Sequence, residues 1–216
     1  MIFAKIDYIN LLPFYIFLKK ELKNPAYRAA LEHKKGVPSK INEDFRKFRV
    51  EAAFISSIFS PRFECTRLGI VAKKEIRSVI VCPGENRNDK DSNTSNVLAK
   101  ILNVKGEVLI GDKALKRFHS SSKCLDLAGI WYDKYSLPFV FARFCFRKDR
   151  KLYTKLAEKF LNTKIKIPRY ILKRYAKKSG LSEKEIREYL KLIDYKIDKK
   201  GEISLKKFIF LSKKFR

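Results

Sequence analysis

The stretch IDYINLLPF, residues 6–14, places an Asp, an Asn and a Pro directly after a short apolar run. An apolar run predicts a buried strand, whereas Pro13 is typical of the first turn of a helix, where no backbone amide hydrogen is needed. We therefore predict that the strand FAKID stops before Asn10 and that the helix PFYIFLKKEL follows it. Asp7 has two interpretations, since it either orients the turn that carries Asn10 or ends the strand.

The same alternation of strands and helices continues along the chain and predicts the α/β class. A second helix opened by a proline is predicted at VPSKINEDFRKFR, before the buried strand VEAAFIS, which we expect to run parallel to the first strand. Further predicted strands are RSVIVC and EVLIGD, on either side of the helix DSNTSNVLAKILN, and then LPFVFARFCF. The last third is predicted to be helical, with a capping box from Ser182 to Glu185.

The composition is that of a globular protein with a strong positive charge. The 216 residues are 45% hydrophobic, enough to bury a substantial core in one or two small lobes. The net charge of +27 attracts anions of any kind, from nucleic acid to a small dicarboxylate. Residues 151–216 hold 21 basic and 7 acidic side chains, a net charge of +14, so the charge is concentrated near the C-terminus.

The cysteines and the N-terminal sequence indicate the cellular compartment in which the protein is expected. Four cysteines are scattered without a CxxC pair: Cys65, Cys82, Cys124 and Cys145. We expect them to be free and mostly buried thiols, and we expect no metal site, since only His33 and His119 could assist as ligands. Neither a signal peptide nor a long apolar membrane span is recognisable, so a reducing cytoplasm is the expected location.

Three polar side chains follow predicted strands at the point where each strand ends. Asn10 follows FAKIDYI, Ser57 follows EAAFIS and Asp112 follows EVLIG. In an open sheet of parallel strands, ligands bind beyond the carboxyl ends of the strands, so we expect these side chains to face one cleft. Two simpler interpretations stay open, because Asn10 could only fix the turn before its helix and Asp112 could only cap the next helix.

A fourth polar group lies at a predicted helix start, where Ser92, Thr94 and Ser95 precede the apolar stripe of DSNTSNVLAKILN. Unpaired backbone amides and hydroxyl groups at such a position can hold a carboxylate or a phosphate. Capping of the helix is the simpler interpretation of the same residues. Together with the strand ends, this pattern predicts a cleft that binds a small anion.

Five motifs along the chain carry a family resemblance: IDYINLLPFY, GVPSKIN, VEAAFISS, VLIGDKAL and DLAGIWYDKYSLPFVFA. In this order they resemble the chorismate dehydratases of the futalosine route to menaquinone, and they span nearly the whole chain. The sister family of dihydroxynaphthoate synthases begins with a Ser-rich, Asp-Thr-containing signature, which IDYINLLPF does not match. The dehydratase is therefore the favoured member of the pair.

The resemblance implies a two-lobed fold similar to the type II periplasmic binding proteins, with a helical C-terminal segment and the ligand held between the lobes. Lobe 1 would combine residues 1–79 with residues 143–216, and lobe 2 would be residues 80–142. The segments RSVIVC and FVFARF would then cross between the lobes.

The family reaction eliminates water from chorismate, which loses the hydrogen at C3 and the hydroxyl at C4 to give 3-[(1-carboxyvinyl)oxy]benzoate. The resemblance implies a carbon–oxygen lyase that needs no cofactor. Asn10 and Ser78 fall where the family keeps its functional Asn and Ser. No His lies in any motif, so one of the substrate's own carboxylates is our hypothesis for the base.

The remaining polar positions are expected to bind the two carboxylates of the substrate. The expected substrate-binding residues are Ser57, Ser92, Asn93, Thr94, Ser95 and Asp112. Asn93 stands where family members often carry an Arg just before a Thr-Ser pair. If that Arg neutralises a carboxylate, helix amides or another cation must do so here.

Two other classes of function compete with this interpretation. Residues 176–191, AKKSGLSEKEIREYLK, have the spacing of a helix-turn-helix, but Glu183, Glu185 and Glu188 make a poor face for a DNA groove, so no nucleic-acid partner is expected. A non-catalytic binding protein for a small carboxylate would share the fold and the cleft. The chain is expected to be a monomer or a weak homodimer.

Overall fold

Two larger β-sheets, one short β-pair and the helices around them form the chain in a computed structural model that describes residues 2–120 and 123–215. The strands are β1 (Lys5–Ile6), β2 (Lys35–Gly36), β3 (Ala52–Ser56), β4 (Glu64–Ala72), β5 (Val79–Cys82), β6 (Glu107–Ile110), β7 (Leu125–Asp126), β8 (Phe139–Phe146) and β9 (Ile193–Lys196). The α-helices are α1 (Leu12–Glu21), α2 (Pro25–His33), α3 (Pro38–Arg46), α4 (Asn93–Leu102), α5 (Gly111–Ser120), α6 (Leu127–Tyr135), α7 (Arg150–Leu161), α8 (Arg169–Ser179), α9 (Glu183–Lys191) and α10 (Lys199–Ser212). The predicted α/β class is confirmed.

The larger sheet has the strand order β3-β8-β4-β9, and all of its pairs are antiparallel. The interior strand β8 corresponds to the predicted strand LPFVFARFCF. No predicted element corresponds to β4, and β9 lies in the last third of the chain, where the prediction of helix alone is wrong. The first strand lies beside β3 in the predicted parallel direction, through a bridge between Phe3 and Ala52.

The smaller sheet has the strand order β6-β5-β7 and is also antiparallel. The strand before Asp112, β6, therefore lies in a different sheet from the strands before Asn10 and Ser57, and the expectation of one open sheet of parallel strands is wrong. A helix between two strands usually forms a parallel crossover, but here the polar loop after β5 first runs back along β6. Arg87 in this loop donates its backbone N–H to Gly106 at 3.2 Å, so the chain enters α4 from the opposite end of the sheet.

The start signals of three helices are confirmed. Pro13 lies in the first turn of α1, Ser92 caps α4, and α9 carries the capping box of Ser182 and Glu185. Ser92 and Ser182 accept hydrogen bonds from backbone N–H groups that a helix start leaves unpaired, whereas Pro13 has no N–H that needs a partner. The cap interpretation of Ser92 is thus correct, whether or not the residue also contacts a ligand.

A cluster of aromatic rings fixes α1 on the larger sheet. Phe14 of α1 meets Phe54 of β3 and Phe160 of α7 edge to face, with ring centroids 4.9 and 5.3 Å apart. Phe144 of β8 lies 5.3 Å from Phe14. Each such aromatic pair contributes about 0.5–1.5 kcal/mol beyond its burial. The cluster thereby also fixes the residues just before α1.

The cysteines are paired, and the expectation of free thiols is wrong. Disulfides join Cys65 to Cys145 and Cys82 to Cys124, across 80 and 42 residues of sequence. The cause is strand register, because Cys65 of β4 lies directly opposite Cys145 of β8. Cys82 and Cys124 likewise come next to the cross-strand pair of Val81 and Leu125. Sequence spacing alone does not show which strands are neighbours.

Within residues 2–120 and 123–215, no helix has the length and apolar character needed to cross a bilayer. The same residues bring together no group of three His, Cys, Asp or Glu side chains suited to hold a metal ion.

Candidate active site

A small cavity of about 60 Å³ lies between the two larger sheets. The first wall comes from the signature turn, which we define as the 3-10 helix Ile9–Leu11, together with β3, β4 and β8. The opposite wall comes from β5, β6 and the start of α4. The polar residues that line the cavity are Tyr8, Asn10, Ser56, Ser78, Ser92 and Ser95. Four of them, Asn10, Ser78, Ser92 and Ser95, are among the predicted site residues.

Asn10 presents an unsatisfied polar atom at the cavity. Its side-chain oxygen Oδ1 is buried and has no hydrogen-bond partner within the described residues. Its backbone carbonyl accepts a hydrogen bond of 2.7 Å from the Tyr195 hydroxyl. Because buried polar atoms are almost always paired, an orphaned amide oxygen in a cavity wall indicates a place for a ligand.

Asp112 holds the signature turn in place and does not line the cavity. Its Oδ1 accepts the backbone N–H of Ile9 at 3.2 Å, and burial raises the pKa of this carboxyl above its usual value. Gly111, just before it, has φ +66°, and a Cβ at that position would lie 2.8 Å from the Tyr8 ring. The motifs IDYIN and VLIGD therefore meet in space, although about 100 residues separate them.

Ser78 lies on the opposite wall of the cavity, just before β5, and is 2% exposed. The hydroxyl of Tyr189 donates to its Oγ at 2.8 Å. Its backbone carbonyl accepts the N–H of Gly111 at 2.8 Å. Ser78 is thus held from two sides.

The start of α4 contributes two hydroxyl groups to the cavity. The Oγ of Ser92 accepts the backbone N–H of Ser95 at 3.2 Å, and the two hydroxyls lie 2.9 Å apart. Thr94 instead accepts the backbone N–H of Ile58 at 3.3 Å. Asn93, at the position of the family Arg, lies exposed and does not line the cavity.

Ser57 lies outside the cavity, and its neighbour Ser56 lines it. The Ser57 hydroxyl donates to the Val140 carbonyl at 2.5 Å. Successive side chains of a strand point to opposite faces, so Phe54 and Ser56 of β3 share the face that meets the cavity. Asn42, from the GVPSKIN motif, donates its side-chain amide to the Ser56 hydroxyl at 2.8 Å. This strand alternation is the signal that could have identified Ser56.

Asp7 connects the signature to the C-terminal helices. It accepts hydrogen bonds from the Tyr175 hydroxyl at 2.6 Å and from Lys178 Nζ at 2.9 Å, and Lys5 Nζ lies 3.3 Å away. Burial alone would raise the pKa of the Asp7 carboxyl, but the bonds from Lys178 and Tyr175 and the charge of Lys5 outweigh it and lower that pKa. Asp7 also follows β1 directly, which agrees with the interpretation that it ends the strand, and its contacts with α8 are an additional role.

The polar groups of the cavity are all uncharged. No Lys or Arg side chain from the described part of the chain lines it. Burial raises the pKa of the Tyr8 hydroxyl, with Asp91 and Asp89 adding to the effect, so Tyr8 stays protonated and can donate. An anion in this cavity would meet neutral donors and the N-terminal end of α4.

A larger cavity, of about 990 Å³, is the open groove between α7 and α10, which we call the α7–α10 groove. No predicted site residue lines it. The cations and acids in its lining are Arg67, Arg143, Arg150, Lys196, Lys206, Lys213, Glu64, Glu158 and Glu202. The Nε of Arg143 is buried without a hydrogen-bond partner among the described residues, and burial lowers the pKa of its guanidinium.

Known proteins resemble this chain in sequence and in fold. A sequence model of the family described as "Menaquinone biosynthesis" matches residues 98–214. A chorismate dehydratase from Campylobacter jejuni subsp. jejuni is 50% identical over 214 residues, which cover 97% of this chain and 96% of that protein. An X-ray crystal structure of a protein from Archaeoglobus fulgidus matches with a TM-score of 0.67 and 14% identity, over 99% of this chain and 96% of that chain.

The structural match concerns the fold alone, at that level of identity. The family match covers more than half of the described chain, and the Campylobacter relative covers nearly all of it. These two findings agree with the five motifs, and the chain therefore belongs to the chorismate dehydratase family of menaquinone biosynthesis.

Proposed function

We propose that the chain converts chorismate to 3-[(1-carboxyvinyl)oxy]benzoate and water, as a carbon–oxygen lyase. Membership of the family supports the reaction, and the small cavity supports its place in the molecule. The observation that carries this proposal is the buried, unpartnered Oδ1 of Asn10, a residue that lines the same cavity as Ser78. No cofactor is part of the proposal.

The reaction asks the protein to position the substrate more than to react with it. The C3 hydrogen leaves as a proton, its electron pair forms the new ring double bond, and the C4 hydroxyl leaves with a proton as water. In this assignment Asn10 orients the substrate and its departing hydroxyl, and Ser78 donates a hydrogen bond to that hydroxyl. Preorganised donors of this kind lower the barrier because they need no rearrangement as charge develops.

The described residues of the cavity offer no ordinary base. No His or carboxylate side chain is among the lining residues, and Asp112 is already occupied by the N–H of Ile9. One of the substrate's own carboxylates is therefore our candidate for the base that takes the C3 proton. Ser92 and Ser95, at the N-terminal end of α4, are our candidates for binding a carboxylate.

We further propose that the fold is of the two-lobed, type II periplasmic-binding-protein kind. Lobe 1 would hold residues 1–79 and 143–216, lobe 2 would hold residues 80–142, and the cavity would be the cleft between them. Pockets for small molecules measure about 300–1,000 Å³. A cavity of about 60 Å³ is smaller, so the lobes would have to separate before chorismate enters.

The test is turnover by the purified full chain. We expect chorismate to disappear as the aromatic product forms in equal amount, followed by absorbance and by mass spectrometry. Asn10→Ala and Ser78→Ala should each reduce this rate, and Asn162→Ala, an exposed residue of the α7–α10 groove, should not. Tight binding of chorismate without any aromatic product would show a binding protein instead. Unchanged turnover in both site variants would refute the assigned roles.

A further inference from the structure

The C-terminal segment reaches the candidate active site through three tyrosines. Tyr175 of α8 donates to Asp7, Tyr189 of α9 to Ser78, and Tyr195 of β9 to the backbone of Asn10, at 2.6, 2.8 and 2.7 Å. These bonds span 168, 111 and 185 residues of sequence. Two of the three partners, Ser78 and Asn10, line the cavity, and Tyr189 comes from the segment that resembles a helix-turn-helix.

The contact between Tyr189 and Ser78 is the most enclosed of the three. Tyr189 is 3% exposed and Ser78 is 2% exposed, so water has little access to either hydroxyl. A serine hydroxyl has one hydrogen to donate and two lone pairs that accept. The side chain of Ser78 makes no hydrogen bond to another described residue besides the one to Tyr189.

The direction of this hydrogen bond follows from the two hydroxyls. A phenol is more acidic than an aliphatic alcohol and is therefore the better donor, so Tyr189 donates and Ser78 accepts. The hydrogen of Ser78 then stays free for another acceptor. Since Ser78 lines the cavity, the nearest open space for that hydrogen is the cavity itself.

We propose that Tyr189 is a positioning residue, which holds the Ser78 hydroxyl so that its hydrogen points into the cavity. The inference rests on the proposed function, because the acceptor would be the hydroxyl that leaves C4 of the substrate. Tyr189 itself does not line the cavity and acts only through Ser78. Without its donor, the Ser78 hydroxyl can rotate and point its hydrogen elsewhere.

A double-mutant cycle on the full chain tests this coupling, with chorismate as substrate. We expect Tyr189→Phe to lower kcat about tenfold and to change KM less than twofold, and Ser78→Ala to lower kcat about 100-fold. The double variant should match Ser78→Ala within about twofold, because Tyr189 has nothing left to position. A double variant about tenfold slower than Ser78→Ala would overturn the inference, as would unchanged kcat in Tyr189→Phe.

The same cycle separates this inference from the proposed function. If Ser78→Ala turns over normally, the role of Ser78 in the reaction fails and the inference fails with it. If Ser78→Ala is slow but Tyr189→Phe is normal, only the inference fails. Tyr153→Phe is the matched control, since Tyr153 is fully buried, its hydroxyl donates to Glu51 at 3.5 Å, and it does not line the cavity.

Folding is measured first, by thermal melting of every variant. If Tyr189→Phe alone fails to fold, the double variant can still be assayed, because removing both partners of a buried hydrogen bond is nearly neutral for stability. It would then be compared directly with Ser78→Ala. Equal rates for these two variants would support the inference, and a further loss in the double variant would overturn it.

Discussion

The small cavity and the α7–α10 groove differ in size and in what their walls offer a ligand. The groove measures about 990 Å³ and the cavity about 60 Å³. Several charges of the groove pair with one another, as Arg150 does with Glu64 at 3.1 Å. The cavity instead collects uncharged groups that other residues hold in place, with the Oδ1 of Asn10 left over. Preorganised polar groups, and not volume, therefore mark the candidate active site.

The largest effect should come from Asn10, because its unpartnered Oδ1 is the feature that most clearly separates the small cavity from the α7–α10 groove. We expect Asn10→Ala, which removes the acceptor Oδ1, to lower kcat about 100- to 1,000-fold, the order seen when one preorganised hydrogen-bonding group of an active site is removed. Asn10→Asp keeps the size but replaces the amide with a charge that repels a dicarboxylate, so it should be at least as slow. Steady-state kinetics with chorismate would show this. A loss below about threefold in both variants would remove Asn10 from the site.

A smaller effect is expected from Gly111, which lets the Tyr8 ring approach the wall of the cavity. In Gly111→Ala the new Cβ would lie 2.8 Å from that ring, at a φ of +66° that favours glycine. We expect about 1–3 kcal/mol lower stability, and a kcat about tenfold lower as the signature turn shifts. Thermal melting and turnover measure both.

The control for Gly111 is Gly129→Ala, in α6. A Cβ there would meet only Asp126 at ordinary contact distances, 3.7 and 3.8 Å. The helix should gain slightly from alanine, and turnover should stay within about twofold. Equal losses of stability and turnover in Gly111→Ala and Gly129→Ala would show that the close approach of the Tyr8 ring to residue 111 does not matter for the site.

The effect of Asp7 should depend on pH, because its pKa is lowered in the folded chain. A lowered pKa adds stability above the unfolded value of about 3.9, and this stability is lost as pH falls through the folded value. We expect Asp7→Asn to melt earlier than the natural chain at pH 7, with the gap closing as the pH falls below about 4. A gap that stays constant with pH would show that the carboxylate charge does not stabilise this wall of the cavity.

Asp194→Asn is the matched control for Asp7. Asp194 pairs with Lys73 at 3.1 Å on the surface, and such pairs contribute only about 0–1 kcal/mol. Its melting temperature should follow that of the natural chain at each pH.

The smallest effect is expected in the α7–α10 groove. Phe210 is 68% exposed there, so Phe210→Ser should change stability by less than about 0.5 kcal/mol and kcat by less than twofold. Arg143→Gln tests the groove residue whose Nε is buried without a hydrogen-bond partner among the described residues. A tenfold loss of turnover in either variant would show that the α7–α10 groove also takes part in catalysis.

The sequence was sufficient where local signals decide the structure. Pro13 and the Ser182 to Glu185 box fix helix starts by local hydrogen bonding, and both are confirmed. Asn10 follows from the strand that stops before it. Ser78 follows only from the family resemblance, since nothing local distinguishes it from another serine before a strand.

The remainder depends on contacts between distant parts of the chain. Alternation along β3 places Ser56 on the face of Phe54, but which face meets the cavity depends on the neighbouring strands. Tyr189 and Tyr195 lie more than 100 residues from the groups that they hold. The register that pairs Cys65 with Cys145 is equally non-local. The spacing of residues in the sequence carries no information about such pairings between distant segments.

Each of the two disulfides lies within one of the two larger sheets. Cys65 and Cys145 join strands of the larger sheet, whereas Cys82 and Cys124 join strands of the smaller one. All four cysteines lie in the described part of the chain, so no cross-link connects the two sheets that face the cavity. Opening the site for chorismate would therefore break hydrogen bonds, such as that from Ile9 to Asp112, but no covalent bond.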